Sequence, residues 1–185
     1  MKGAFWNIRG LNKVGRKLML SSFMRSYHLD FVGVIETKKE SFEGSFLKSF
    51  TGNTPFSWNY LPAVGSAGGV LVGFNSDLFN VVMQGSFKFL LNCLVTDKKS
   101  NFTWRCIVVY GSPYEEGKQE FLDELDKVLM GWHGPTLVGG DFNLVRVASD
   151  KSNGVINSKW AGLFNSWVNK WALLELNDRS KTFTW

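Results

Sequence analysis

The order in which strand and helix patterns alternate restricts this chain to one class of fold. An apolar run at residues 3–8 is followed by an amphipathic helical pattern at residues 13–27 and by a continuous apolar run at residues 31–35. Three more helical patterns follow, at residues 41–50, 116–130 and 159–174. Further strand patterns lie at residues 56–61, 70–74, 81–95, 101–110, 135–139 and 182–185. This order predicts an α/β layered domain whose sheets pack face to face with helices outside.

Length and composition agree with a single domain that has a large core. The chain has 185 residues, of which 44% are hydrophobic and 20% charged, as in ordinary globular proteins. Its aromatic content is high, with 16 Phe, 8 Trp and 4 Tyr. Such side chains dominate the energetics of cores and interfaces, so they predict a well-packed interior or a surface that needs a partner.

The cysteines and the apolar runs indicate the compartment. Cys93 and Cys106 are too few for a disulfide framework or a zinc site, and they are typical of small core residues in a reducing compartment. No apolar run approaches the roughly 20 residues that cross a bilayer, and the first ten residues lack a secretory signal. We therefore expect an intracellular protein of the nucleus or cytoplasm.

Positive charge is concentrated in the first part of the chain. The net charge is +5, and residues 1–50 alone carry nine Lys or Arg against four acids. Residues 101–150 carry four bases against eight acids. A basic N-terminal third suits a polyanion partner, although an excess of this size is common in proteins that bind no nucleic acid.

An aromatic stripe marks the last helical pattern. Trp160, Phe164, Trp167 and Trp171 recur at helical spacing. The stripe has two readings, a stacking surface for a ligand or nucleic acid and the core face of an amphipathic helix. The spacing favours the core face.

Polar residues follow several of the apolar strands directly. They are Asn7, Glu36, Tyr110 and the pair Asp141 and Asn143. Strand ends in such sheets point side chains into a common crevice, where these groups could converge. Glu36 and Asp141 would offer the hard oxygen ligands that suit Mg²⁺ or Mn²⁺, while Asn7, Asn143 and Tyr110 could ligate or hydrogen-bond a phosphoryl oxygen.

Each of these residues also has a purely structural explanation. Asn7 could turn the chain, Asp141 could cap a helix, Glu36 could pair with a base, and Tyr110 could belong to the core. Taken singly, each residue fits the structural explanation. Their recurrence at successive strand ends favours a functional site.

Six short motifs occur in the order of a known family. They are Trp-Asn-Ile-Arg-Gly-Leu at residues 6–11, Asp-Phe-Val-Gly-Val-Ile-Glu-Thr at 30–37, Gly-Gly-Val at 68–70, Val-Tyr-Gly-Ser-Pro at 109–113, Gly-Gly-Asp-Phe-Asn at 139–143, and Lys-Thr-Phe-Thr-Trp at 181–185. With these motifs the chain resembles the endonuclease/exonuclease/phosphatase superfamily. It is most similar to the endonuclease domain of plant LINE-type (non-LTR) retrotransposons.

The resemblance implies a fold, a reaction and a set of roles. The fold would be a four-layered α/β sandwich of the deoxyribonuclease I-like type, and the reaction would be Mg²⁺- or Mn²⁺-dependent phosphodiester hydrolysis. Glu36 would ligate the metal with Asn7 as its neighbour. Tyr110 would contact the scissile phosphate, Asp141 would orient or deprotonate the attacking water beside the metal, and Asn143 would assist at the phosphate.

The same resemblance suggests how nucleic acid would be held. Arg9, Asn12 and Lys13 come just after the first strand, where they would grip backbone phosphates. DNA is therefore the first expected partner.

The family pattern continues with a Ser-Arg-Leu-Asp-Arg segment and a Ser-Asp-His segment, and neither occurs in these 185 residues. We expect a single domain over residues 1–185 that is incomplete at its C-terminus, with an impaired active site. His28 and His133 have the sequence context of a loop and a turn, which does not suit a substitute for the missing histidine.

The missing segments leave three functions open. The first is a Mg²⁺-dependent nuclease, the second a domesticated fragment that binds protein or nucleic acid without cleavage, and the third, ranked last, a small-molecule phosphatase.

Without the missing segments, the strand at residues 182–185 would be an exposed apolar edge, which predicts self-association or capture by a protein partner. A shortened product of a longer protein is the alternative explanation.

Overall fold

The computed structural model describes residues 1–65 and 67–176. Two compact units are present. Within the described residues, the first comprises Met1–Tyr110 and His133–Asp141, and the second comprises Gly111–Trp132 and residues 142–176. The prediction of one domain over residues 1–185 stays a prediction.

The first unit contains two four-stranded mixed sheets. The first sheet is built from β1 (Gly3–Asn7), β2 (Phe31–Ile35), β3 (Phe56–Val64) and β4 (Ala67–Asn75), in the order β1-β2-β4-β3. The second sheet is built from β5 (Phe79–Met83), β6 (Leu90–Asp97), β7 (Thr103–Tyr110) and β8 (Thr136–Asp141), in chain order. Each sheet ends in one parallel pair, β1 with β2 and β7 with β8, and its other pairs are antiparallel.

Two helices of the first unit cover the first sheet. They are α1 (Arg16–Tyr27) and α2 (Gly44–Thr51). Leu20 and Met24 of α1 and Phe50 of α2 join a buried cluster with Val32 and Val34 of β2. The opposite face of the first sheet packs against the second sheet through a second buried cluster. Because β2 is covered on both faces, its five residues form an uninterrupted apolar run that is buried throughout.

The predicted α/β sandwich is confirmed, and most predicted elements form near their expected positions. The helix expected from residue 13 begins at Arg16, because Gly15 before it has a left-handed φ of 80°. The strand expected to stop at residue 139 continues through Gly140 to Asp141. The turn expected at residues 65–69 is shorter, since β4 already starts at Ala67. The strand predicted at residues 182–185 lies outside the described residues.

The second unit contains α3 (Lys118–Leu129) and α4 (Ser158–Lys170), together with short 3-10 turns at Glu115–Gly117 and Ala148–Asp150. Three residues of the stripe form the expected core face, since Trp160, Phe164 and Trp167 are buried. The helix expected to reach residue 174 ends at Lys170, so Trp171 is its half-buried C-cap. The rings of Phe164 and Trp167 stack at 5.9 Å. The Trp160 indole donates a hydrogen bond to a Glu115 oxygen at 3.0 Å, which satisfies its polar edge.

Cys93 and Cys106 are the core residues that the sequence predicts. They face each other across β6 and β7, both are fully buried, and both are free thiols. Burial raises the pKa of Cys93 to about 12, and burial together with the neighbouring thiol raises the pKa of Cys106. Within residues 1–65 and 67–176, no helix has the length and apolar character needed to cross a membrane.

Candidate active site

Asn7 and Glu36 come together at the end of the parallel pair in the first sheet. Asn7 is the last residue of β1 and is aligned with Ile35, the last residue of β2. The two chains stay paired beyond the strands, since Gly10 N–H donates to the Glu36 carbonyl at 2.8 Å. Because both strands are parallel, their carboxyl ends place Asn7 and Glu36 at the same edge of the sheet.

Tyr110 and Asp141 form the matching pair in the second sheet. Tyr110 ends β7, Asp141 ends β8, and the two residues are aligned across this parallel pair. Asp141 is buried, while Tyr110 is half-buried and packs against the core between the sheets. The polar residues thus lie at aligned strand ends in each parallel pair, while the convergence of all their side chains on one site stays a prediction.

One hydrogen bond joins the two strand ends across the sheets. The Asn7 side-chain Nδ2 donates to Asp141 Oδ2 at 2.7 Å, although 134 positions separate the residues in sequence. Asn7 Oδ1 also accepts a hydrogen bond from the Arg9 backbone N–H at 3.1 Å. Asn7 therefore also stabilises the turn after β1, as its structural explanation predicts. Asn7 thus fixes the following loop and orients the Asp141 carboxylate at the same time.

The start of β4 brings Tyr110 close to the segment that follows β2. The backbone N–H of Lys38 donates to the Gly68 carbonyl at 3.0 Å. A Cβ at Gly68 would lie 3.6 Å from the Tyr110 ring, which is ordinary contact distance. Gly68 therefore lies between the Tyr110 ring and the loop that carries Glu36, and its φ of +77°, not the ring, is what favours glycine there.

Glu36 is held in an unusual backbone conformation and is paired with a base. Its φ is +57°, in the left-handed region that costs a non-glycine residue about 1–2 kcal/mol. Its Oε1 lies 3.1 Å from Lys38 Nζ, so the ion pair allowed by the sequence does form. The Glu36 side chain remains 19% exposed. Strain at a polar residue is common where the surrounding structure fixes a functional group.

Asn143 belongs to the second unit, where its side chain supports the backbone. Its Nδ2 donates to the Gly111 carbonyl at 2.8 Å, and its own carbonyl accepts from Lys118 Nζ at 2.6 Å. Its φ is +49°. Asn143, Lys118, Lys151 and Trp160 also line an open pocket of this unit.

The three predicted nucleic-acid contacts lie on the surface of the first unit. Arg9, Asn12 and Lys13 are all exposed after β1. Arg9 has a left-handed φ of +52°, and Asn12 Oδ1 accepts a hydrogen bond from Lys39 Nζ at 3.3 Å. The prediction that they hold phosphates is untested.

Two supporting residues escaped the sequence prediction. Thr37 is fully buried directly after Glu36, and its hydroxyl has no hydrogen-bond partner within the described chain. Gly69, at φ +82°, faces it so closely that a Cβ would lie 2.4 Å from Thr37 Oγ1. The backbone of Gly69 also accepts the Thr37 N–H at 3.0 Å. The only signal in the sequence was that residues 36–37 and 68–70 both belong to motifs.

Glu36 and Asp141 are the carboxylates that would hold the expected Mg²⁺ or Mn²⁺, and this assignment stays a prediction. Glu36 is partly exposed and Asp141 lies at the neighbouring strand ends, and Mg²⁺ is commonly held by one or two carboxylates with substrate phosphates and waters. The ammonium of Lys38 already places positive charge on Glu36. Among the described residues, no three His, Cys, Asp or Glu side chains form a metal-binding group. The donor set therefore fits a metal shared with substrate better than a protein-only cage.

Neither histidine lies among these strand ends. His28 is the exposed C-cap of α1, with φ +50°. His133 is exposed between α3 and β8. These places agree with the loop and turn positions expected from the sequence.

The structure is an α/β sandwich with polar residues at the ends of its parallel strands. The chain belongs to the Endonuclease/Exonuclease/phosphatase family, which it matches over residues 4–185. None of the curated proteins compared with the chain is significantly similar to it in sequence.

Solved structures share the fold at low sequence identity. The endonuclease domain of TRAS1, a telomere-specific non-LTR retrotransposon, is 13% identical with a TM-score of 0.68, over 95% of this chain and 74% of that one. The AP endonuclease LMAP from Leishmania major is 15% identical with a TM-score of 0.65, over 91% of this chain and 66% of that one. The human Nocturnin catalytic domain is 17% identical with a TM-score of 0.55, over 76% of this chain and 62% of that one. The chain thus spans slightly less than two thirds of the length of the last two.

Proposed function

We propose that the chain is a retrotransposon-derived endonuclease domain that hydrolyses DNA phosphodiesters with Mg²⁺ or Mn²⁺. The observation that carries the proposal is the 2.7 Å hydrogen bond from Asn7 to Asp141, because it joins the polar ends of two sheets into one site. Family membership supports the reaction class, and the motif spellings support descent from plant LINE elements.

Asp141 is the group that would orient or deprotonate the attacking water. Its carboxylate is buried and held by the Asn7 amide, so one oxygen is fixed and the group stays oriented. A fixed carboxylate can position a water or accept its proton, and such general-base assistance is worth roughly 10²–10⁴-fold in rate. Asn7 is the positioning residue in this arrangement.

The scissile phosphate would be contacted by Tyr110 directly, and by Glu36 only through the cation. The Tyr110 hydroxyl can donate a hydrogen bond to a phosphoryl oxygen as negative charge develops there. Glu36 would hold the cation, with Asp141 as a second ligand. When bound, the cation supplies charge stabilisation to the phosphate.

A second candidate function is binding without cleavage. Lys38 occupies one oxygen of Glu36, the residue that would hold the cation. An ammonium paired with that carboxylate competes with the cation for it. We therefore expect slow turnover, and a protein or nucleic-acid binder if turnover is absent.

Nicking of supercoiled plasmid DNA separates the two functions. The nuclease predicts nicking with Mg²⁺ or Mn²⁺ that EDTA abolishes and that Glu36→Gln reduces strongly. Glu40→Gln is the matched control, since Glu40 is an exposed acid on the same loop. No nicking at any metal concentration, together with saturable binding of a partner, would establish the second function instead.

A further inference from the structure

A surface of the first unit combines ammonium groups with aromatic rings. We call it the basic–aromatic surface, formed by Lys17, Lys39, Phe42, Phe46 and Tyr60. Lys17 Nζ lies 4.8 Å and Lys39 Nζ 5.0 Å from the centre of the Phe46 ring. Lys39 Nζ also lies 5.8 Å from the Phe42 ring, whose edge meets Tyr60 at 5.1 Å. Two positive charges are thus held at one ring.

These two charges have no carboxylate partner within the part of the chain that the structure describes. Lys39 Nζ donates to the neutral Asn12 amide instead. Lys17 lies in the first turn of α1, which has no acid, and a cation there is opposed by the helix dipole. Two ammonium groups near one ring also repel each other. Both the repulsion and the helix dipole therefore favour an anion at this surface.

The aromatic rings hold the lysines in place. Phe46 is half-buried and meets the fully buried Phe50 edge-on at 5.2 Å, so its ring is anchored in the core. A cation near an anchored ring is restrained before any ligand binds, and a restrained side chain loses less entropy on binding. Tyr60 remains 40% exposed at the border of the surface and offers a ring to a neighbouring group.

A ligand that matches the ammonium groups and rings of the basic–aromatic surface carries repeated negative charges and flat apolar groups. Residues 1–50 hold nine bases against four acids, and the nearby acids Glu40 and Glu43 are exposed without pairing to either lysine. Nucleic acids present a phosphate at every nucleotide, and surfaces that bind them combine cations with aromatic rings. An acidic peptide lacks the base that an exposed Tyr60 ring could contact.

We propose that the basic–aromatic surface binds backbone phosphates of the DNA substrate through Lys17 and Lys39, apart from the strand-end residues that would contact the scissile phosphate. This inference rests on the proposed function and extends it. It adds Lys17 and Lys39 to the contacts expected of Arg9, Asn12 and Lys13, which they adjoin through the hydrogen bond from Lys39 to Asn12.

The test is the salt dependence of DNA binding, measured by fluorescence anisotropy of a labelled duplex in EDTA, which prevents cleavage. Lys17→Gln with Lys39→Gln should weaken binding and reduce the slope of log affinity against log salt by about 1.8, because each phosphate contact contributes about 0.9. Lys99→Gln with Lys127→Gln removes two exposed lysines elsewhere and should leave the slope unchanged.

A second variant tests the ring itself. Phe46→Leu keeps every charge and an apolar side chain, so it should weaken binding several-fold while its circular dichroism and Tm stay close to those of a folded protein. If Phe46→Leu is folded and binds DNA as tightly as wild type, the rings have no role and the proposal in this form is wrong.

Two further outcomes would overturn the inference. In the first, Lys17→Gln with Lys39→Gln shows the same slope of log affinity against log salt as Lys99→Gln with Lys127→Gln. In the second, the wild-type protein binds no DNA. The inference is also overturned if polyglutamate, at equal charge, competes as strongly as unlabelled DNA, since that indicates a general polyanion surface.

The outcomes also separate this inference from the proposed function. If the wild type nicks plasmid DNA but the slope is unchanged in the double lysine variant, this inference alone is rejected. If the slope is reduced in that variant but the wild type does not nick, only the nuclease function is rejected.

Discussion

The side chain of Asn7 donates a 2.7 Å hydrogen bond to Asp141, and this bond joins the last residue of β1 in one sheet to the last residue of β8 in the other. The acceptor is a buried carboxylate, so the bond is of the charge-assisted kind that contributes about 1.5–3 kcal/mol. A polar contact of this strength at the junction of two sheets links the stability of the fold to the geometry of the site.

Removing the Asn7 amide should affect stability and activity together. Asn7→Ala leaves the Asp141 carboxylate without this donor, so we expect a loss of about 1–3 kcal/mol in the free energy of unfolding and a lower kcat for any nicking. Urea denaturation and plasmid nicking measure the two effects. Asn80→Ala, at an exposed position of β5, should change neither. An unchanged free energy of unfolding in Asn7→Ala would show that the bond contributes nothing.

A methyl group at Gly69 should disrupt the segment that holds Glu36. The added Cβ would lie 2.4 Å from Thr37 Oγ1 at a φ of +82°, so both a clash and backbone strain arise, and a loss of more than about 2 kcal/mol is expected. Gly15→Ala separates the two causes, since Gly15 has φ +80° with nothing within 4 Å. Equal thermal shifts in the two variants would mean that strain alone acts and that the close contact with Thr37 is irrelevant.

The buried hydroxyl of Thr37 should be dispensable for stability. It has no partner within the described residues, and an unsatisfied buried polar group costs about 1–3 kcal/mol. Thr37→Val keeps the shape and removes the hydroxyl, so Tm should stay the same or rise. Thr37→Ser keeps the hydroxyl and loses the methyl group, and its Tm should fall. A lower Tm in Thr37→Val than in Thr37→Ser would contradict this account.

The facing thiols of Cys93 and Cys106 should make the fold sensitive to alkali. Burial favours the neutral thiol, so the pKa of each is raised above 9.0, to about 12 for Cys93. The contribution of the thiols to stability is therefore complete below pH ~9 and declines as the pH rises toward the folded pKa, by about 1.4 kcal/mol per pH unit for one thiol. Denaturation of wild type and of Cys93→Ala with Cys106→Ala between pH 7 and about 10.5 measures the decline.

Thiol labelling gives an independent check on the same pair. Both thiols should resist a disulfide reagent at pH 8 in the native protein and react fully in denaturant, because the thiolate is the reactive form. Rapid native labelling would show that the β6–β7 pair opens easily.

The sequence predicts those features of the fold and site that are determined within a single strand or helix. It does not predict features that depend on how separate elements pack together. The β2 run and the aromatic stripe of α4 were predictable because their patterns reflect burial of the element itself. The polar strand ends at Glu36 and Asp141 were predictable because parallel strands end at one edge. The Asn7 bond to Asp141 depends on how two sheets pack, which no local pattern contains.

The same reason explains what the sequence did not predict. The sequence could not choose among the possible bases for Glu36, and the left-handed φ values of Glu36 and Lys38 bring Lys38 close enough to pair. The tight contact of Gly69 with Thr37 arises from the pairing of β4 with the end of β2. Likewise, the strand after Pro135 reached Asp141 because the backbone of Gly140, at φ +138°, lies against Val109, where no side chain would fit.

The measurement that tests the central claim most directly is the rate of Mg²⁺-dependent plasmid nicking by Asp141→Ala beside wild type and Asp77→Ala, an exposed acid of the β4–β5 turn. If the strand-end residues form a hydrolytic site around Asp141, wild type and Asp77→Ala should nick at the same slow rate and Asp141→Ala at least about 100-fold more slowly. Equal EDTA-sensitive rates in all three proteins would contradict the account.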